Sequence, residues 1–121
     1  MALRLRNVTF DCADPAALAG FWAAVTGYRM GTLNPYMAEL GGDDPAAPQM
    51  LFIKVPEEKS AKNRVHLDLG ADDLEAEVER VLGLGAELVG RYDEWGVTWA
   101  TFRDPEGNEF CIGHHPVGAH E

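Results

Sequence analysis

The chain has 121 residues, 46% of them apolar and 25% charged, which excludes a disordered polymer and is enough for one domain with its own core. Ten Lys and Arg stand against 20 Asp and Glu, and the formal net charge of −10 argues against nucleic acid and anionic membrane surfaces as partners. No apolar run approaches the roughly 20 residues of a helical bilayer crossing. In chain order, residues 4–12 (RLRNVTFDC) alternate, with Val8, Phe10 and Cys12 apolar against Asn7, Thr9 and Asp11, which predicts a strand with one core face. Asp14 then caps a helix over 15–26, with Pro15 in its first turn and Leu18, Phe21, Trp22 and Val25 along one stripe. Gly27 is its left-handed stop. Short strands over 28–30 and 36–40, a turn-rich loop over 41–48 and an apolar strand over 49–55 complete the first half.

The pattern then returns. Residues 56–64 (PEEKSAKNR) are a charged connector, and 65–71 (VHLDLGA) alternate as a strand. Asp72 with Glu75 forms a capping-box pair for a helix with Leu74, Val78, Val81 and Leu82 on one side and Gly85 at its end. Strands follow over 86–92, 97–103 and 109–113, the last after a DPEGN turn set by Pro105 and Gly107 and bonded by Asp104 and Asn108. The caps Asp14 and Asp72 stand 58 residues apart, as do Gly27 and Gly85, which marks an internal repeat. The expected fold is α+β, a single domain over 1–121. It consists of two tandem βαβββ modules, at about 4–55 and 64–113, whose curved sheet forms a cup with the helices outside.

Three stretches, CADPAALAGFWAAVTGY, KNRVHLDLGADDLEAEVERVLGLGAE and FRDPEGNEFCIG, resemble the vicinal oxygen chelate superfamily, the glyoxalase/bleomycin-resistance fold, and within it the small glyoxalase-like domain group. In metal-using members the resemblance implies four ligands, one from the first and one from the last strand of each half. Those positions here carry Asn7, Ile53, His66 and Cys111. Isoleucine cannot ligate and a neutral amide is a poor donor, whereas iron, nickel or manganese wants imidazole and carboxylate. No metal or other cofactor is therefore expected, although a site rebuilt from Asp11, His66 and Glu109 is the competing possibility. The resemblance also implies a homodimer.

Strand alternation turns Asn7, Thr9, Asp11, His66, Asp68, Glu109 and Cys111 to the concave face, with Leu67, Leu69, Phe110 and Ile112 on the core side. A one-residue bulge in the first strand would reconcile this register with the 58-residue repeat, which pairs His66 with Val8 and not with Asn7. So polar a face reads as a cup for a small molecule, with His66 as base or anchor tuned by Asp68. The competing reading is an internal hydrogen-bond network. Trp95 and Trp99 flank a turn at Gly96 and offer indoles for a planar ligand, against a dimer contact for Trp95 and a core role for Trp99. Trp22, Met30, Met37 and Met50 read as packing, and Lys62–Arg64 as a solvated connector before an anion clamp. His114, His115 and His120 read as an adventitious metal binder on a frayed tail. Cys12 and Cys111, without CxxC spacing or an export signal in the alternating MALRLRNVTF start, read as reduced thiols of a cytoplasmic protein. Two functions remain: a metal-free binder of a small organic molecule, or a lyase, isomerase or dioxygenase, either metal-free with His66 as base or with a rebuilt metal site.

Overall fold

The computed structural model of the protein describes residues 2–114; His115 and His120 of the expected tail lie outside them. The chain divides into two compact units after Glu58, and the elements repeat in each. The first unit holds β1 (Asn7–Cys12), α1 (Pro15–Thr26), β2 (Arg29–Asn34), β3 (Met37–Gly41) and β4 (Gln49–Lys54). In the second are β5 (Leu67–Gly70), α2 (Leu74–Gly83), β6 (Glu87–Glu94), β7 (Val97–Arg103) and β8 (Glu109–His114). The sheets run β1-β4-β3-β2 and β5-β8-β7-β6, each with one parallel pair, β1 with β4 and β5 with β8. Two βαβββ modules are thus present as the repeat implied. Among the described residues no helix is long and apolar enough to cross a membrane.

Local chemistry explains the helix ends. The Asp14 carboxylate accepts from the Ala17 amide at 3.1 Å, and Gly27 takes φ +76°, as expected for a cap and a left-handed stop. In α2 the cap is Asp73, accepting from Ala76 N–H at 3.1 Å, and not Asp72. Two aspartates stand in tandem, and only the second has the N3 amide within reach. This one-residue correction puts Asn7 and His66 at the same distance before their caps, so the bulge expected in β1 is unnecessary. The β1–β4 register indeed runs without a shift from Asn7 to Cys12. Gly85, at φ +111°, follows α2 as expected, and Ala86 N–H closes back on the Val81 carbonyl at 3.0 Å.

β2 extends to Asn34, beyond the expected 28–30. Its extension GTLN is exposed and lacks the apolar alternation that marks a strand, and the hairpin is held by Asn34 Oδ1, which accepts from the Tyr36 and Met37 amides. Each unit has its own core. Trp22, Phe52, Leu18 and Leu40 are fully buried in the first, where Phe10 packs on Trp22 and Phe52 at 5.4 and 5.1 Å. In the second, Phe102 stacks on Phe110 at 5.4 Å and Val81 is fully buried. Met50 is core as expected, while Met30 is exposed on β2.

Candidate functional site

On β8 the side chains alternate. Phe110 and Ile112 are core residues, while Glu109, Cys111 and Gly113 line a pocket of about 940 Å³. The pocket also receives Trp99, Thr101 and Arg103 from β7, Tyr92 from β6, Asp68 from β5 and His66 from the position just before β5. All of these residues belong to the second unit. His66, Asp68, Glu109 and Cys111 thus line one pocket within the second unit. Asn7, Thr9 and Asp11 also alternate as expected and are exposed along β1 of the first unit.

The polar floor is a chain of contacts. His66 Nδ1 lies 3.0 Å from Asp68 Oδ1, with the two side chains 42% and 73% exposed. In the parallel register Asp68 is the direct neighbour of Cys111, whose Sγ lies 3.3 Å from Thr101 Oγ1. Burial pushes the Cys111 thiol up; the Thr101 hydroxyl opposes this, and the negative Asp68 adds to it. Cys111 is thus a protonated thiol at neutral pH and forms no disulfide among the described residues. The imidazole, carboxylate and sulfur donors of His66, Asp68 and Cys111 all lie within 4.8 Å of one another.

Glu109 is placed differently from the expectation that it offers a free carboxylate to a ligand or to a rebuilt metal site. It is buried, and both its oxygens accept from the Asn63 amide at 2.9 and 3.2 Å, while Lys59 Nζ stands 3.5 Å away. Asn63 Nδ2 also donates to the Glu109 carbonyl at 3.3 Å. The connector expected to be solvated is thereby strapped to β8, and its Lys59–Lys62 stretch becomes one wall of the pocket. No local signal in PEEKSAKNR pointed to this; the partner lies 46 residues on. Burial alone would push the Glu109 carboxyl up, but the Asn63 amide and the Lys59 ammonium outweigh it and hold the group below its usual 4.5. A lowered carboxylate value contributes stability above 4.5 and loses it as pH falls through the lower folded value. Urea unfolding followed below 4.5 is expected to show this decline, with a shallower slope in Glu109→Gln.

Another part of the pocket lining is aromatic. Tyr92 and Trp99 stack at 5.1 Å and 23°, and Trp95 lies nearly parallel to Trp99 at 6.4 Å and 11°. Trp95 and Gly96 form a two-residue hairpin loop in which both take positive φ, +54° and +73°. That is the backbone of a type I′ turn, which favours Asn or Gly and costs tryptophan about 1 kcal/mol. Gly90, without a Cβ, leaves room for the Tyr92 phenol, whose oxygen would stand 2.7 Å from an added Cβ. The DPEGN turn is structural, as expected: buried Asp104 accepts from Glu106 N–H at 2.9 Å and Asn108 N–H at 3.0 Å.

The residues do not fit the iron, nickel or manganese centre that the resemblance implies. Two of its four positions hold Asn7 and Ile53, which supply no good donor. The register adds a correction: β1 pairs Thr9 with Leu51 as β5 pairs Asp68 with Cys111, so the counterpart of Cys111 is Leu51 and not Ile53. Leucine ligates no better.

The glyoxalase-like domain family matches residues 7–113. Among curated proteins none matches the chain. A glyoxalase/bleomycin resistance protein/dioxygenase family enzyme from Burkholderia phytofirmans superposes with a TM-score of 0.80 at 21% identity, over 94% of this chain and 100% of that one. A glyoxalase/bleomycin resistance protein/dioxygenase from Nocardioides gives 0.77 at 16%, over 98% and 87%. The fosfomycin resistance protein FosX from Mesorhizobium loti gives 0.76 at 18%, over 97% and 96%. At these identities the likeness is one of fold.

Proposed function

The chain belongs to the glyoxalase-like domain family, and on that premise we propose that it binds a small planar organic molecule in the pocket of its second module, without the divalent iron, nickel or manganese of metal-using relatives. The carrying observation is the aromatic wall of Tyr92, Trp99 and Trp95 in one pocket with a polar floor. Trp95 is 87% exposed in an unfavourable backbone state, a combination that core packing does not explain. Stacking supplies affinity, and His66 and Asp68 supply orientation.

Titration of the tryptophan fluorescence with a panel of planar heterocycles and antibiotics tests this reading. Trp99→Ala is expected to weaken binding about tenfold, the equivalent of one lost ring contact. Trp95→Asn removes a stacked ring of similar worth to the backbone cost it relieves, so stability should change by less than about 1 kcal/mol while binding weakens. Unchanged affinity in both variants would contradict the stacking role. A Trp95 that serves as a dimer contact would instead show in Trp95→Asn as a change of oligomeric state in sedimentation, with affinity intact.

A second reading rests on the 3.0 Å His66–Asp68 pair, which orients the imidazole as a general base requires. It makes the protein a metal-free isomerase or lyase. His66→Ala separates the two: a binder keeps most of its affinity, whereas a base-dependent enzyme loses turnover by about 10²-fold or more.

A further inference from the structure

The geometry points to a zinc site formed by His66, Asp68 and Cys111, with a donor set different from that of the centre that the family resemblance implies. One imidazole, one carboxylate and one sulfur converge within 4.8 Å at the pocket floor. Asp68 is not among the resemblance's four positions, and it is the residue that joins the two that remain.

The β-sheet itself produces the convergence. His66 and Asp68 stand two residues apart and so share one side of the chain, and the parallel register sets Cys111 directly beside Asp68. β8 is an interior strand and fixes the sulfur, while the exposed His66 and Asp68 side chains are free to turn toward it. Zinc bonds of about 2.0–2.3 Å place tetrahedral donors roughly 3.3–3.8 Å apart, so a closure of about 1 Å completes the set.

The donor set selects the cation. A thiolate disfavours magnesium and manganese, whereas zinc accepts nitrogen, sulfur and oxygen together with no preference imposed by d electrons. As the sulfur–zinc bond forms, the thiol proton passes to solvent. The dication with one thiolate and one carboxylate is then neutral, so the buried sulfur gains a bond without leaving a net charge under the pocket. Three protein ligands leave the fourth position for water.

Cobalt(II) titration of the metal-stripped full chain tests the site, with cobalt as the spectroscopic stand-in for zinc. One equivalent is expected to bring a near-ultraviolet thiolate-to-cobalt band that added zinc removes. Cys111→Ser should abolish the band with the fold intact by circular dichroism; Cys12→Ser and a His115→Ala/His120→Ala double variant should keep it. Asp68→Asn and His66→Ala, both at exposed positions, should weaken cobalt binding about tenfold or more, which keeps the test decisive if Cys111→Ser fails to fold. Absence of the band at several equivalents of cobalt, or its survival in Cys111→Ser, would overturn the assignment. Ligand stacking on the aromatic wall is a separate measurement and stands or falls independently.

Discussion

Phe110→Ala is expected to lower the unfolding free energy by about 3–5 kcal/mol, the usual cost of emptying a phenylalanine site in a close-packed core. Its ring is 1% exposed and stacks on Phe102 at 5.4 Å, in a β-strand with partners on both sides. For a chain of this size the thermal midpoint should fall by roughly 10–20 °C. Binding should fail with it, because Phe110 holds from the core side the same strand that presents Glu109 and Cys111 to the pocket. Equilibrium urea unfolding measures the loss. A change below about 1 kcal/mol would mean that β8 is not the packed centre of the second module.

Glu109→Ala is the second large effect, and its mechanism is polar. The substitution strips the Asn63 amide of its acceptor and leaves Lys59 without its buried partner. An unsatisfied buried amide costs about 1–3 kcal/mol, and because Asn63 is only half-buried the loss should fall toward the lower end, about 1–2 kcal/mol. Because the strap from Lys59 to Lys62 forms one wall of the pocket, ligand affinity should also drop, even though Glu109 itself is committed to the strap. Glu109→Gln keeps one acceptor for Asn63 and should recover part of the stability. Unfolding curves and hydrogen exchange at Asn63 read both consequences.

Local features were legible in the sequence. The Asp14 cap, the Gly27 stop, the β7 boundaries and the structural DPEGN turn follow from short-range rules of capping, periodicity and turn chemistry, and each stands where those rules place it. The repeat was legible too, but its offset was blurred by the tandem Asp72–Asp73, which satisfy the capping rule equally well in one dimension. What the sequence did not disclose is register between distant strands. Asp68 meets Cys111 across more than forty residues, and Asn63 meets Glu109 across 46, so no window of neighbouring residues contains either pair. Alternation turns Asp68 and Cys111 to one face without making them neighbours. For the same reason alternation turns Glu109 to the pocket side without disclosing its contacts with Asn63 and Lys59. The aromatic wall was half legible, since Tyr92, Trp95 and Trp99 flank one hairpin, but their near-parallel stacking depends on a positive φ at Trp95 that the sequence signals do not favour.

The most direct test of the binding pocket is isothermal titration of chelator-treated protein and its Trp99→Ala variant with the planar compounds that quench tryptophan fluorescence. Stacking on the aromatic wall predicts that binding to the native sequence survives chelation at one molecule per chain and weakens about tenfold in the variant. Binding that disappears on chelation, or that is as tight in Trp99→Ala, would contradict it.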